Sequence, residues 1–165
     1  MEEKEKLIVI GGGAAGFFTA ISAAEKKPSA EIIILEGGSR VLRKVKISGG
    51  GRCNVTHACF KASQLAKYYP RGSKELKKAF SVFNVNHTIA WFKERGVDLK
   101  RESDNRMFPV TNTSNTIISC FLDEARKHNL KIQKDTFVTR IAQEKRQVKL
   151  TIDGFDHLYD KVIIA

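Results

Sequence analysis

A glycine-rich turn between two apolar runs, followed by an acid, constrains this chain more than any other feature. Residues 7–10 are apolar and lead into Gly-Gly-Gly-Ala-Ala-Gly at positions 11–16, and a second apolar run, residues 32–35, stops at Glu36. The runs indicate buried parallel strands, and the alanine-rich stretch 14–26 between them indicates a helix. A strand, tight turn, helix, strand and acid within about thirty residues are typical of a βαβ unit that binds a dinucleotide.

The turn supplies the groups that a pyrophosphate needs. Gly11 permits the sharp exit from the strand, Gly13 lets a pyrophosphate approach the backbone, and Gly16 lets the helix pack closely on the sheet. Ala14 and Ala15 begin the helix, whose first N–H groups and partial positive charge favour phosphate. These five residues are the predicted phosphate-binding positions.

The acid at the end of the second strand predicts the ribose contact. The Glu36 carboxylate can accept hydrogen bonds from the hydroxyls of an adenosine ribose, and Gly37 adjoins it. Because a carboxylate would repel a 2′-phosphate, this position disfavours NADP as the nucleotide bound at the glycine turn.

A second glycine-rich segment, residues 40–56, begins shortly after Glu36. Its three successive glycines give the backbone freedom close to a ligand, and its polar and basic side chains suit a diphosphate or the electron-rich edge of a flavin. We expect the segment to return over the same nucleotide. The candidate contacts are Arg43, Lys44, Ser48, Gly49, Gly50, Gly51, Arg52, Cys53 and Asn54.

The motifs VIGGGAAG, Arg43-Lys44, ISGGGRCNVT and RMFP, in this order, resemble a known family. The family is that of the bacterial FAD-dependent oxidoreductases described as BaiN-like or YhiN-like, also called the aminoacetone oxidase family. The resemblance implies an α/β fold, the glutathione-reductase-like three-layer ββα FAD/NAD(P)-binding fold with a parallel Rossmann-type sheet. It also implies FAD across the first glycine turn and under the 43–54 loop, with the strand around Val138 beside the adenine half.

The chain departs from the family pattern in two residues and in length. Leu42 stands where the family has glycine, and Asn105 replaces a frequent glycine before Arg106. Family members are more than twice as long, so the resemblance implies that residues 1–165 are the N-terminal part of an FAD-binding domain. The inserted substrate domain and the C-terminal part of the FAD domain are expected to lie outside these residues.

The motifs leave three functions open. The first is a flavoprotein oxidoreductase acting on a small-molecule substrate, with NAD(P)H as electron donor or oxygen as acceptor. The second is a non-catalytic FAD- or NAD-binding fragment. The third and weakest is a flavin-dependent disulfide reductase using Cys53 and Cys59. Five residues separate these cysteines, and on a helix six positions rise about 9 Å, beyond the usual disulfide reach of about 7 Å. No catalytic acid or base stands out.

Composition and charge argue against several kinds of site and partner. The three cysteines include no CxxC pair and the four histidines are scattered, so we predict no disulfide framework and no metal site. The net charge is +11, but the basic residues are spread along the chain without alternating aromatic residues, which favours a solvated surface over nucleic acid. The uncharged stretch 7–24 contains four glycines, and the leading MEEKEK is wrong for a signal peptide, so we predict a cytoplasmic protein with no membrane partner.

The rest of the pattern predicts one domain with helices and strands around the two glycine segments. Residues 37–62 are expected to be a loop, and the C-terminal strand 162–165 is expected to be central, parallel and buried on both faces. Ser73, Asn86 and Ser114 are the expected N-caps of three helices, and Gly96 is expected to end the second of them. The remaining predicted helices are 74–82, 87–95 and 115–128, and the remaining predicted strands are 6–10, 31–35, a pair within 97–111, 130–133, 136–143 and 146–152.

Overall fold

The computed structural model describes residues 4–165 and contains the predicted βαβ unit. Strand β1 (Lys6–Ile10), helix α1 (Ala14–Lys26) and strand β2 (Glu31–Leu35) have the bounds that the sequence predicts. The two strands pair in parallel. The leading segment that argues against a signal peptide begins with residues 1–3, which lie outside the described residues.

The described chain forms two compact units. Unit 1 comprises the residues up to Lys44 together with Phe121–Ala165, and unit 2 comprises Val45–Cys120. The elements that follow β2 are α2 (Arg43–Gly51), β3 (Thr56–His57), α3 (Ala62–Leu65), a short 3₁₀ turn (Ala66–Tyr68), α4 (Ser73–Val82), α5 (Val85–Lys93), β4 (Leu99–Arg101), β5 (Arg106–Pro109), α6 (Ser114–Lys127), β6 (Lys131–Gln133), β7 (Val138–Glu144), β8 (Gln147–Ile152), β9 (Phe155–Tyr159) and β10 (Lys161–Ile164).

Unit 1 has three layers built on a parallel sheet. Its four strands follow the order β10-β1-β2-β6, and a separate antiparallel sheet follows the order β7-β8-β9. Ile8, Ile33 and Leu35 on one face of the parallel sheet pack against Leu150 and Ile152 of the antiparallel sheet. Successive residues of a strand point to opposite faces, so the neighbouring residues of β1 and β2 face the helices.

The helical layer of unit 1 covers the other face of the parallel sheet. Phe17 of α1 is fully buried, and the centroid of its ring lies 6.0 Å from that of Phe121 in the middle of α6. Ile34 and Ala20 are also fully buried. Helix, parallel sheet and antiparallel sheet are the three layers of the ββα architecture, which confirms the predicted fold class. Both the predicted helices and strands of this unit and their arrangement in three layers are therefore present.

Strand β10 differs from its prediction. It pairs in parallel with β1, and Ile164 lies opposite Ile10 as a parallel strand requires. The sequence predicts burial on both faces, but in the described sheet β10 lies at an edge, and the Ile164 side chain is 72% exposed. The parallel pairing is as predicted, whereas burial on both faces is not observed within the described sheet.

Unit 2 is built around a small antiparallel sheet with the order β3-β5-β4. Leu65, Val85 and Met107 form its buried cluster, with Phe80 and Leu99 packed against them. Strands β4 and β5 confirm the predicted pair within 97–111. The predicted loop over 37–62 is wrong in part, because α2 and β3 lie within it.

Three predicted helix caps differ from the structure. The α5 cap is Asn84 rather than Asn86: its side chain accepts from the N–H of His87, whose ring accepts from the N–H of Asn84. Helix α4 begins at Ser73, after Gly72, with no side-chain cap. Ser114 begins α6, but its hydroxyl donates to the Lys46 carbonyl instead of capping the helix. The N-cap residue depends on which side chain reaches the first N–H groups of the helix. Because several polar residues lie near each helix start, the sequence does not identify it.

Of the helices in residues 4–165, none combines the length and the apolar character that crossing a lipid bilayer requires.

Candidate dinucleotide-binding site

The glycine turn after β1 needs glycine at both of its ends. Gly11 has φ of +115°, and a Cβ there would lie 2.3 Å from the Ala165 carbonyl oxygen. A Cβ on Gly16 would lie 1.8 Å from the Gly11 carbonyl oxygen. Any side chain at these positions would force the helix, the turn and the neighbouring strand apart, so both glycines allow the close packing of α1 on the sheet.

The middle of the turn is open. Gly13 has φ of −87°, and a Cβ placed on it would meet no atom within 4 Å. Gly13, Ala14 and Ala15 are all exposed where α1 begins. The first N–H groups of a helix have no partner within the helix, and the helix dipole makes this end partially positive. The turn therefore offers donors and free volume to a phosphate.

Glu36 lies beside the turn and is fixed by two backbone groups. Its Oε2 accepts from the N–H of Gly12 at 2.9 Å, and its Oε1 accepts from the N–H of Gly38 at 2.8 Å. Each carboxylate oxygen has a further lone pair, so the anchored group can still accept hydrogen bonds from two hydroxyls. The structure thus brings the predicted acid to the predicted turn.

An exposed aromatic ring adjoins the acid, and sequence reasoning missed it. Phe137 is 66% exposed, and its Cδ2 would lie 2.9 Å from a Cβ on Gly37. The backbone N–H of Thr136 donates to the Glu36 carbonyl at 2.9 Å, which holds this segment against the end of β2. Val138, which the resemblance places beside the adenine, begins β7 and packs partly into the core. The sequence signal that could have identified this ring is an aromatic residue immediately before the strand that begins at Val138.

Arg43 and Lys44 are exposed cations at the start of α2. The residue before them, Leu42, donates its N–H to the Gly12 carbonyl at 2.8 Å, so this segment is joined to the glycine turn. Leu42 has φ of +56° and is 1% exposed. The left-handed conformation explains why a glycine is expected there, and burial of the leucine side chain accounts for its presence.

In unit 2 the three glycines of the second motif interrupt α2. Ser48 leaves the helical conformation, its hydroxyl donates to the Val45 carbonyl at 2.9 Å, and Gly49 to Gly51 all have positive φ. A Cβ on Gly49 would lie 2.7 Å from Phe108, whereas one on Gly50 or Gly51 would meet nothing within 4 Å. Crowding requires the first glycine, and backbone conformation requires the other two.

Arg52 and Cys53 are held within unit 2. The Arg52 guanidinium pairs with Glu102, and its Cζ lies 4.0 Å from the centroid of the Phe108 ring. Cys53 is buried, and desolvation raises the pKa of its thiol, an effect opposed by a weaker hydrogen bond with Ser48. Asn54 is exposed. Contact of residues 48–54 with a flavin stays a prediction.

The cysteines do not form a redox pair in the described residues. Cys53, Cys59 and Cys120 are all free thiols. The stretch between Cys53 and Cys59 contains β3 and is not helical, so the helical-rise argument against a disulfide does not apply to it. A buried thiol with a raised pKa is a poor nucleophile, so the geometry gives no support to a disulfide reductase.

A carboxylate and imidazole cluster joins the C-terminal ends of α1 and α6 in unit 1. The ligand-type atoms of Glu25, Glu124 and His128 lie within 4.8 Å of one another. Glu124 is nearly buried; its Oε2 lies 3.7 Å from the His128 Nε2, and its Oε1 lies 3.4 Å from the Lys127 Nζ. Sequence reasoning, which treats the four histidines as scattered, did not anticipate this cluster. Its position at the far end of α1 separates it from the glycine turn.

The residues present in unit 1 fit a dinucleotide. The open Gly13 surface has room for the pyrophosphate, the N-terminus of α1 supplies donors, and the anchored Glu36 carboxylate has acceptor capacity left for a ribose. A parallel sheet with this site at the carboxyl ends of its strands defines a Rossmann domain. With the antiparallel third layer, it is a Rossmann domain of the FAD-binding type.

The chain belongs to the HI0933-like family, because residues 5–165 match the model described as "HI0933-like protein Rossmann domain". It is 26% identical over 139 residues to the ribosomal RNA dihydrouridine synthase of Escherichia coli, covering 81% of this chain and 32% of that protein. It is also 26% identical over 136 residues to the 3-dehydro-bile acid delta(4,6)-reductase of Clostridium scindens, covering 82% of this chain and 32% of that protein. The chain thus spans about a third of the length of these relatives.

The fold also matches solved structures. The E. coli quinol fumarate reductase FrdA (E245Q mutant) superposes with a TM-score of 0.69 at 15% identity, covering 99% of this chain and 32% of that one. This likeness supports the fold alone. Together with the family, it confirms the predicted resemblance: the chain is an FAD-binding Rossmann domain whose relatives are oxidoreductases.

Proposed function

We propose that the full-length protein is an FAD-dependent oxidoreductase and that unit 1 holds the adenosine diphosphate half of the FAD. The observation that carries this proposal is the Glu36 carboxylate, held by two backbone N–H groups beside an open glycine turn. This arrangement combines a fixed acceptor for a ribose with unobstructed donors for a pyrophosphate. It supports binding of a dinucleotide more directly than any other feature of the described residues.

Each group at the turn has a specific task in this proposal. The first N–H groups of α1 bind the pyrophosphate, the Glu36 carboxylate accepts the ribose hydroxyls, and the exposed Phe137 ring offers a flat surface to the adenine. Arg43 and Lys44 add positive charge near the diphosphate. When bound, FAD supplies the capacity to accept and release a hydride, and the protein supplies position and electrostatics.

We further propose that the enzyme reduces a carbon–carbon double bond in a conjugated ring, with NAD(P)H as the electron donor. Two relatives support this choice, since one is named for making dihydrouridine and the other as a reductase of a bile acid double bond. Both names describe addition of hydrogen to a ring. A cytoplasmic location fits the three free thiols and a nicotinamide donor, and it belongs to the same proposal.

The first test replaces Gly13 with valine in the full-length protein. Its backbone is extended with negative φ, and a Cβ there meets nothing, so Gly13→Val should fold normally while filling the pyrophosphate position. Ser29→Val, at an exposed turn beyond the other end of α1, is the matched control. We expect the purified control to be yellow and the Gly13→Val protein to be colourless with an unchanged circular dichroism spectrum.

Glu36→Ala tests the ribose contact in the same protein. Loss of hydrogen bonds to a charged acceptor should weaken FAD by about 1–3 kcal/mol in calorimetric titrations of the flavin-free form. Stoichiometric FAD in a folded Gly13→Val protein, or unchanged affinity in Glu36→Ala, would overturn the assignment of this turn.

Anaerobic titration with NADH and NADPH tests the reductase proposal. We expect one of them to bleach the visible flavin absorption of the wild-type protein, and a conjugated enone to restore it. Restoration by oxygen alone, with no enone reduced, would favour an oxidase. Absence of bleaching by either nucleotide would contradict NAD(P)H as donor.

A further inference from the structure

The positive charge of this protein is concentrated in unit 2. Residues 45–120 hold thirteen of the 29 lysine and arginine side chains but only five of the 18 acidic ones, which gives a formal charge of +8 out of +11. Within residues 60–78 six basic residues accompany a single acid, Glu75. A local field of this sign attracts polyanions and raises their association rates.

Ion pairing differs between this segment and unit 1. In unit 1, Lys27, Lys131 and Lys161 pair with Glu5 or Glu31. In the part of the chain that the structure describes, the six basic side chains of residues 60–78 form no ion pair. All six are exposed: Lys61, Lys67, Arg71, Lys74, Lys77 and Lys78. Their charge is therefore available to a partner, because no ion pair within the described residues neutralises it.

Two tyrosine rings stand among these cations. Tyr68 is 64% exposed, and its ring centroid lies 4.6 Å from that of His57. Tyr69 is 43% exposed, and its ring centroid lies 5.5 Å from that of Phe80 on α4. Each ring is thus supported by another ring and still exposed to solvent. Rings fixed in this way suit stacking with nucleobases, which gains from preorganisation.

Helix α4 and the 3₁₀ turn that carries Tyr68 pack together, and the contact of the Tyr69 ring with Phe80 joins the residue after the turn to α4. On α4, Lys74, Lys77 and Lys78 are spaced three and four residues apart, which places neighbouring side chains about 5–6 Å from one another. We call Lys67, Tyr68, Tyr69, Lys74, Lys77 and Lys78 the basic–aromatic surface. Exposed cations and exposed rings on elements that pack together are the combination with which proteins bind single-stranded nucleic acids.

We propose that the basic–aromatic surface binds single-stranded RNA. The sequence predicts no nucleic-acid partner because its cations and aromatic residues do not alternate, but folding packs the segment that carries the tyrosines against α4, which carries three of the lysines. RNA binding stands on this surface alone; the claim that a base in the bound RNA is the ring that becomes reduced rests on the proposed function.

The test measures binding of a fluorescein-labelled oligouridylate to the full-length holoenzyme by fluorescence anisotropy over a salt series. Replacing Lys74, Lys77 and Lys78 together with alanine should raise Kd at least about tenfold and reduce the slope of log K against log salt by about 2. The matched control replaces Lys27, Lys131 and Lys161 with alanine, which removes the same charge from unit 1. We expect the Kd of this control to stay within about twofold of the wild-type value.

The tyrosines have a separate signature. Tyr68→Ala with Tyr69→Ala should raise Kd about tenfold or more while leaving the salt slope unchanged, because stacking releases no counterions. Circular dichroism and flavin content measured on every variant identify any that fail to fold. Equal Kd values in the two lysine triple variants, or preference for phosphatidylserine vesicles over RNA, would overturn the proposal.

The two proposals fail in different ways. RNA binding that depends on the basic–aromatic surface, in a protein whose flavin no nicotinamide reduces, would leave this inference intact and contradict the proposed reductase. A reductase whose RNA affinity is unaffected by either set of substitutions would contradict this inference alone.

Discussion

Cys53 shows how a single residue combines backbone strain with a buried ionisable group. It has φ of +63° and is 6% exposed, directly after the three glycines of the second motif. Left-handed conformation is unfavourable for a residue with a Cβ, at roughly 1–2 kcal/mol. Burial raises the pKa of the thiol. The residue is therefore held by its surroundings, and its charge state is linked to folding.

The raised pKa of Cys53 predicts a loss of stability at alkaline pH. The thiol is neutral in both states at low pH, so its contribution is constant below the unfolded pKa of about 8.5. As pH rises further, the unfolded state loses its proton first, and the free energy of unfolding falls until the folded pKa is reached. Urea unfolding from about pH 8 to about pH 10 should show a steeper decline for the wild type than for Cys53→Ala. Parallel curves would show that the thiol does not contribute.

Leu42 and Asn105, which replace glycines of the family pattern, both have positive φ angles. Their φ angles are +56° and +68°, so both occupy the conformation for which glycine is the usual residue. Asparagine tolerates this conformation, and Leu42 gains from complete burial of its side chain. Both residues therefore adopt the backbone conformation in which glycine is usual.

At the scale of elements, α5 depends on a capping box that its sequence leaves ambiguous. Asn84 and Asn86 both stand near the helix start, and only Asn84 exchanges hydrogen bonds with His87. We expect Asn84→Ala to lower the free energy of unfolding by about 1 kcal/mol because two backbone N–H groups lose their acceptor. Asn86→Ala is the matched control and should change it by less than about 0.5 kcal/mol. Equal effects in chemical denaturation would show that the cap does not hold α5.

At the scale of the whole molecule, the exposed edge of strand β10 favours aggregation. Its outer edge is unpaired among the described residues, and Ile164 exposes 72% of its surface. Exposed apolar edges pair with other chains. Ile164→Lys should therefore slow aggregation of the 165-residue chain, measured by light scattering, with little change in its unfolding transition.

Val162 provides the control for this prediction. It lies on the same strand but packs against the cluster between the two sheets of unit 1. Val162→Lys should destabilise the fold, because it places a charge against apolar side chains. Similar aggregation rates for the wild type and Ile164→Lys would show that association uses another surface.

The sequence alone determined the βαβ unit, the fold class and the family. Continuous apolar runs, a turn that requires glycine and a following acid are local features, so β1, α1 and β2 have their predicted bounds. The same local features predicted that Glu36 lies near the glycine turn, because they end two neighbouring parallel strands; the hydrogen bond with Gly12 is given by the structure.

Only the tertiary structure decided which of several equivalent residues performs a task. The segment of Phe137 reaches the end of β2 through the hydrogen bond from the Thr136 N–H to the Glu36 carbonyl, and Arg52 pairs with Glu102 fifty residues away. These contacts join residues far apart in the chain, and the free energy that selects them comes from burial and charge pairing in the folded state. Local sequence patterns do not contain that information.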